Sequence, residues 1–576
     1  MTLSGPITNN KTLGVTKDGN STYLLSGTNT FSGGLMINNG ALRTMDGAEG
    51  NGTVTVNSGG IWGLDENYNP TAKLAVGSSG ILALNSNNST LTGVNGSSVF
   101  IGSLGNYTFT GSSLVAGSGS TYRLGGGGGT LTITGTNVIT GANSLIIGST
   151  QNSGTGVVVL TGSNNYSGGT TIAAGILQVG NGGVTGSING NVTDNAALVY
   201  NRSNAVAVSG TISGSGSLTQ AGAGVLTLSA SNSYSGGTTL VDGTINFVNG
   251  GLGSSGTISF TGGGGTLKYA AGNTQDLSGR IASSSAAVAI DTGTNSVSFL
   301  NPLGSTNTGG LTKSGTGKLT LTGSNGYTGE TKVTAGELIV SGSLYGTTTV
   351  TVSDSVLTVK GLINFLAQLR MKSGGFLSGY GSVGPVVMSG GGTVAPSGSG
   401  GSTGTLNING NLTFDPLGGA GPAHFAMQLS GTIAGTGYDQ ISMAPGSTLD
   451  LSNVNLDGSL LNGYVPTHFA TPAVFTGDTF YLVIGAGGVS GTFANRQAAT
   501  AYSNGFDIIV FNSQAFAISY TANYNSGSGS IFSSVGGHDI ALMAIPEPET
   551  WAMFASGFGL LIFGQRLRRC RRGFSC

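Results

Sequence analysis

The sequence predicts an all-β protein whose body is a parallel β-helix, a solenoid of short stacked strands. Three observations lead there. Gly supplies 108 of 576 residues, about 19% against a usual share near 7%, and a Gly inside a helix costs about 1 kcal/mol relative to Ala. Runs of four to six residues alternate apolar with polar, as in ILQV, GVLTLS and KLTLTG, and stop at Gly, Asn or Ser, the pattern of short half-buried strands. The texture barely changes from residue 10 to about 415. Short strands without helical crossovers over that distance suit a solenoid better than a sandwich or a barrel.

Composition removes other classes. Only 7% of residues are charged, against roughly 25% in an ordinary domain. A net charge of −1 with 38% hydrophobic residues excludes disorder by charge repulsion. Gly follows no period of three and Pro numbers only 12, which excludes collagen. No basic excess marks a nucleic-acid partner. The two cysteines, Cys570 and Cys576, lie in the last seven residues, so neither disulfides nor Cys-bound metal is expected to hold the body.

One phrase recurs along the body, as LLSGTNTFSGGLMINNGAL (24–42), VLTGSNNYSGGTTIAAGIL (159–177), TLSASNSYSGGTTLVDGTI (227–245) and TLTGSNGYTGETKVTAGEL (320–338). Its aromatic is Phe31, Tyr166, Tyr234 or Tyr327, read as a core or stacking residue. Three copies share a lead-in, LGVTKDGNSTYLL, GSLTQAGAGVLTL and GGLTKSGTGKLTL. Inward side chains of such coils would stack in aliphatic columns, with Gly and Asn at the left-handed corners. At about 22 residues and ~4.8 Å per coil, residues 10–415 would form about 18 coils. The segment Leu362 to Met371 (LINFLAQLRM) reads as a lateral element or a strand pair. The chain divides into a repetitive body, 1–415, a closing β segment, 416–545, and a distinct tail, 546–576.

The repeated phrase resembles the autotransporter-associated β-strand repeat of bacterial passenger domains. That resemblance implies a right-handed parallel β-helix closed by a mixed-β cap. Residues 437–545, from GYDQISMAPGSTLDL to GGHDIALM, are similar to the closing segment of such proteins. A cap is also expected physically, because an open final coil would template aggregation. No translocator barrel pattern of alternating ten-residue strands precedes the tail.

The tail reads Pro546-Glu547-Pro548-Glu549-Thr550, then WAMFASGFGLLIFG from Trp551 to Gly564, then QRLRRCRR. Fourteen apolar residues as a helix span about 21 Å, short of a roughly 30 Å hydrocarbon core. Snorkelling arginines and an interfacial Trp551 would narrow that gap. The tail resembles the PEP-CTERM sorting signal of Gram-negative, exopolysaccharide-producing bacteria. The resemblance assigns the sorting motif to Pro546, Glu547 and Pro548. It places the anchor at Trp551, Phe554, Phe558, Leu560, Leu561, Ile562 and Phe563, a short hydrophobic helix in the inner membrane. The basic end is Arg566, Arg568, Arg569, Arg571 and Arg572. It implies an exosortase-type membrane protease as partner and an exported, envelope or extracellular location. The tail continues past the arginines as Gly573-Phe574-Ser575-Cys576. Met1 opens β-like text without a basic start or an apolar run, and a C-terminal sorting signal needs prior export, so the true start is expected upstream.

Residues suited to catalysis are sparse. Glycoside hydrolysis needs two carboxylates facing one cleft, yet residues 1–545 hold only 19 Asp and Glu. Asp18, Asp46, Asp242 and Asp457 each precede Gly and read as turn residues. Asp65 and Glu66 are adjacent and would face opposite sides of a strand. His424, His468 and His538 have no neighbour at metal-ligand spacing, and no calcium-roll repeat occurs. The phrase GGLTKSGTGKLT is not a phosphate loop, because Leu319 follows Lys318 where Ser or Thr should bind magnesium. No cofactor and no catalytic residue is expected. The reading is an exported structural or adhesin-like surface protein with extracellular glycans as partners. The alternatives are a β-helical polysaccharide lyase or hydrolase and, from Thr runs such as TLTIT (130–134) and TTTVTV (347–352), an ice-binding surface.

Overall fold

Alternation of small strand formers with Gly and Asn gives strands of mostly three or four residues joined by tight corners. In the computed structural model these strands pair in parallel from coil to coil. The structure describes residues 1–8, 12–148, 156–397, 402–415, 421–471, 474–497, 507–524 and 537–545. Among these, the 3-10 turn Ser278–Arg280 is the one complete helical element, and no helix is long and apolar enough to cross a membrane. The chain falls into two units, Met1–Gly293 and Thr294–Cys576, both all-β parallel solenoids.

In the first unit the described strands form a 12-stranded and an 8-stranded sheet. A further ladder runs through Val206–Val208, Val225–Leu228, Thr244–Phe247 and Thr266–Tyr269. Leu198, Leu218, Thr238 and Ile258 pair in succession, each at the same place on the next coil. In the second unit a coil carries three strands on three faces, for example Leu311–Ser314, Lys318–Leu321 and Ser324–Asn325. Stacking puts like residues in register: Val297, Leu319, Leu338, Leu357, Leu377, Val394, Phe425 and Leu456 form one continuous column. All eight are buried. Burying an aliphatic side chain of this size contributes roughly 1.5–3 kcal/mol, so such columns are the chief stabilising feature of both units.

Corners use the expected residues. Gly40, Gly175, Gly243 and Gly336 occupy one position in the four repeats, with φ between 65° and 74°, where a Cβ is strained. A Cβ on Gly243 or Gly336 would also run into backbone carbonyls of the preceding coil. The segment 362–371 holds two short strands, Leu362–Ile363 and Gln368–Met371.

The last parallel strands are Thr479–Ile484 and Gly488–Ser490, the latter paired with Thr448–Asp450, and antiparallel pairing begins at Thr479–Ile484. This strand pairs in parallel with Gln440–Met443 and antiparallel with Asp539–Ile545. Gln514–Ala522 and Asp507–Phe511 then extend the antiparallel sheet. Antiparallel neighbours can be joined by a hairpin, whereas parallel ones need a full coil of crossover. Phe480 packs edge-on against Tyr438 and Phe516 beneath this sheet.

Candidate functional site

The repeat phrase is an assembly device, built from buried polar groups. Each copy spans slightly more than one coil, so its first half stacks on its second: Leu218 pairs with Thr238, Val225 with Thr244, Leu311 with Thr331 and Lys318 with Glu337. In three copies a Thr interrupts an aliphatic column, and the Tyr four residues earlier satisfies it. Tyr166, Tyr234 and Tyr327 hydroxyls lie 2.6, 2.7 and 2.7 Å from the hydroxyls of Thr170, Thr238 and Thr331. The first copy has Phe31 and Leu35 at these positions, both buried, so aromatic and partner change polarity together. Burial pushes the Tyr166 and Tyr234 phenols up to about 12, so the pairs stay neutral.

Two residues before each aromatic stands a buried Asn: Asn29, Asn164, Asn232 or Asn325. Its carbonyl accepts from a backbone N–H one coil back, at Ile7, Ile139, Ile212 or Leu303. Its amide donates onward to Ala48, Gly251 or Ser343 in three copies. The lead-in adds a third clip. The buried Lys313 ammonium donates to the carbonyls of Ser314, Gly315 and Ala335, and Lys17 does the same with Asp18, Gly19 and Asn39. In the third copy Gln220 takes that position and donates to Gly222 and Gly224. The aromatics are core residues, as the sequence suggested. The Tyr–Thr, Asn and Lys clips went unread there, although Y-x-x-x-T, N-x-aromatic and K/Q-x-G recur at fixed offsets.

The carboxylates noted in the sequence are scattered. Asp65 forms a bidentate pair with Arg43 at 2.8 and 2.7 Å, while Glu66 accepts from the Asp46 backbone. They follow the strand Val54–Leu64 in a corner and serve different partners. Asp18, Asp46 and Asp242 sit at corners, but Asp457 does not. It lies inside the strand Val454–Leu460, with a carboxylate oxygen 2.6 Å from His424 Nδ1. Gly458 is required for packing there, since a Cβ would overlap the Phe511 ring. His538 is exposed, and its neighbour Asp539 is buried, accepting from the backbone of Gly485 and Tyr524. His468 has no described side chain. Pro546, Glu547, Pro548, the anchor from Trp551 to Phe563 and the arginines from Arg566 to Arg572 all lie outside the described residues.

The second unit carries an open groove of about 830 Å³. It crosses the strands Lys318–Leu321, Glu337–Val340, Val356–Val359 and Phe376–Gly379. A polar row crosses its floor. Lys318 Nζ lies 2.8 Å from Glu337, Thr358 donates to Glu337 at 2.7 Å, and Ser378 lies 2.8 Å from Thr358. Because Thr358 gives its proton to Glu337, Ser378 is the donor to Thr358. Burial would raise the Glu337 carboxyl, but the hydrogen bonds from Lys318 and Thr358 and the charges of Lys318 and Lys360 hold it below the usual range. Asp354, Lys360 and Phe376 also line the groove.

Comparison with known proteins bears on the repeats. The family model described as Passenger-associated-transport-repeat matches four segments, residues 15–43, 153–179, 218–246 and 311–340. These are the four copies that carry the buried clips. A stretch of 47 residues, 8% of the chain, is 55% identical to an autotransporter of Brucella suis biovar 1 (strain 1330) described as adhesin BmaC, and covers 1% of that protein's length. The chain thus carries four autotransporter passenger-type repeats on a parallel β-solenoid, the arrangement of a secreted or cell-surface protein.

Proposed function

We propose that the protein is an exported, non-enzymatic, adhesin-like surface solenoid that associates with exopolysaccharide. One observation carries this reading: the repeat residues are committed to holding coils together, leaving long outward faces available for contact. The partial likeness to an adhesin supports it. In this reading the antiparallel strands between Thr479 and Ile545 cap the solenoid, as a terminal repeat must be shielded from pairing with other chains. Delivery runs through a PEP-CTERM and exosortase route. Pro546, Glu547 and Pro548 form the recognised motif, and the apolar helix from Trp551 anchors the chain in the inner membrane until processing. Replacing Pro546, Glu547 and Pro548 with Ala is expected to leave full-length protein in the inner-membrane fraction. Unchanged processing of that variant removes the exosortase route. Cells lacking the protein are expected to lose retention of a polysaccharide matrix, and unaltered retention removes the adhesive role.

Hydrolysis of polysaccharide is the second reading, favoured by Glu337 and Asp354 lining one groove. It is the weaker one, because Glu337 is paired with Lys318 and kept ionised, the opposite of what a proton-donating acid needs. Release of new reducing ends by purified protein, abolished in Glu337→Gln, would establish it. An ice-binding face has less support, since Thr351 stands between Lys332 and Arg370 rather than in a row of Thr.

A further inference from the structure

Resting on the adhesive reading, the structure points to where that contact is made and to its chemistry: we propose that the groove of the second unit binds an acidic polysaccharide segment, with Lys360 and Tyr380 at its rim as the recognising pair. Four features bear on it.

The first is charge. Residues 313–372 hold six Lys and Arg against three Asp and Glu, while residues 1–545 as a whole hold 15 against 19. Of the six, Lys313 is buried and Lys332 and Arg370 stand on another face, so the groove is lined by Lys318 and Lys360 against Glu337 and Asp354. With Lys318 paired to Glu337, Lys360 is the lining cation left to meet a polyanion.

The second is aromatic exposure. Most aromatics of this chain are core residues, yet Tyr345, Phe365 and Tyr380 are 54%, 59% and 56% exposed. Among the described residues, these are three of the four large exposed aromatics. Tyr380 follows the groove strand Phe376–Gly379 directly, whereas Tyr345 and Phe365 lie past the third-face strands Ser343–Leu344 and Leu362–Ile363, at the next corner of their coils. Exposing an aromatic forfeits the free energy of its burial, and a flat apolar ring facing water offers the surface on which the C–H face of a sugar packs.

The third is a juxtaposition that register creates. Val359 pairs with Gly379, so the next residues, Lys360 and Tyr380, sit side by side at one corner of adjacent coils. Both are exposed, and the backbone at Gly381 abuts that of Lys360. An ammonium beside an exposed ring suits a uronate, whose carboxylate meets the amine while its ring packs on the phenol. Lys318, by contrast, is already paired with Glu337.

The fourth is spacing. Coils repeat at ~4.8 Å, comparable to the length of one sugar residue in an extended glycan. The groove crosses five coils from Lys318 to Ser397, about 19 Å, so roughly four rings would each lie over one coil. Thr358 and Ser378 on the floor offer hydroxyls to the sugar.

The test uses the full chain and titrates it with tetragalacturonate and with its fully methyl-esterified form, in low and in physiological salt. Wild type is expected to bind the acidic tetramer more weakly as salt rises, and to bind the neutral ester at least about tenfold more weakly, through loss of the charge-assisted contact. Lys360→Gln and Tyr380→Ala are each expected to weaken binding about tenfold without altering thermal unfolding, as both side chains are exposed. Lys268→Gln, an exposed first-unit cation, is expected to bind as wild type. Equal affinity for the two tetramers, or unchanged affinity in both groove variants, overturns the site. If the variants still hold the polysaccharide matrix as wild type does, this proposal fails while the adhesive role stands. If wild type binds neither tetramer yet retains the matrix, the ligand class is overturned alone.

Discussion

Replacing Tyr234 and Thr238, singly and together, tests the claim that the repeats are assembly devices. Both side chains are fully buried, and their hydroxyls, 2.7 Å apart, satisfy each other inside an aliphatic column. Tyr234→Phe leaves the Thr238 hydroxyl without this partner, and Thr238→Val does the same to the phenol. Each change is expected to cost about 1–3 kcal/mol, the penalty of an unsatisfied buried polar group. The double variant removes both hydroxyls and recreates the apolar character of the first copy, where Phe31 and Leu35 stand. It is expected to cost less than the sum of the single changes by about 1–2 kcal/mol. Repeat arrays lose two-state cooperativity, so the suitable assay is amide hydrogen exchange in Thr238–Leu240 and in its partner Ser217–Gln220. There a difference of about 1.4 kcal/mol reads as a tenfold change in protection. Burial holds the Tyr234 phenol at about 12, so the coupling is expected to be the same at pH 6 and pH 9, a range of roughly neutral phenol. Strictly additive single changes, within about 0.5 kcal/mol, would refute the reasoning.

Two further predictions concern buried charge. Lys313→Met removes the donor that three carbonyls share and is expected to cost about 2–4 kcal/mol. Lys313→Gln is expected to recover part of this, since Gln220 fills the same position in another copy; denaturant midpoints of the three proteins check it. Asp439 is buried, and desolvation raises its carboxyl to about 7 despite hydrogen bonds from Gly404, Ser397 and Gln428. The native state therefore binds a proton that the unfolded chain has lost across the window between the ordinary Asp range and about 7. Stability is then expected to fall as pH rises through that window, by at most about 4 kcal/mol for this group. Asp194, raised to about 6 by burial, acts in the same sense in the first unit. Thermal unfolding between pH 5 and 8 measures the slope, and Asp439→Asn is expected to flatten it for the second unit.

Much of the architecture was legible because it is local. Alternation, strand length and Gly corners follow from single-strand propensity, and the four repeats were visible as phrases before any coil was placed. The buried Lys313 was not legible, since a cation on a strand ordinarily points to solvent. Only the corner that turns three carbonyls toward its ammonium reverses that preference. Asp457 was misread for a related reason. Asp-Gly usually marks a turn, but here Gly458 makes room for the ring of Phe511, a neighbour from a distant part of the sequence.

By itself the sequence determined that the chain is β, repetitive, weakly charged and followed by an unlike tail, because these are properties of composition and of period. The tertiary structure alone decided which residues meet. Successive coils differ in length, for Leu377 pairs with Val394 where Leu131 must reach as far as Val158. Neighbours on adjacent coils therefore have no fixed separation in sequence. Lys360 stands beside Tyr380, and His424 beside Asp457, because backbone ladders set the register of each coil on the last, and a ladder is a property of the stack rather than of any one strand.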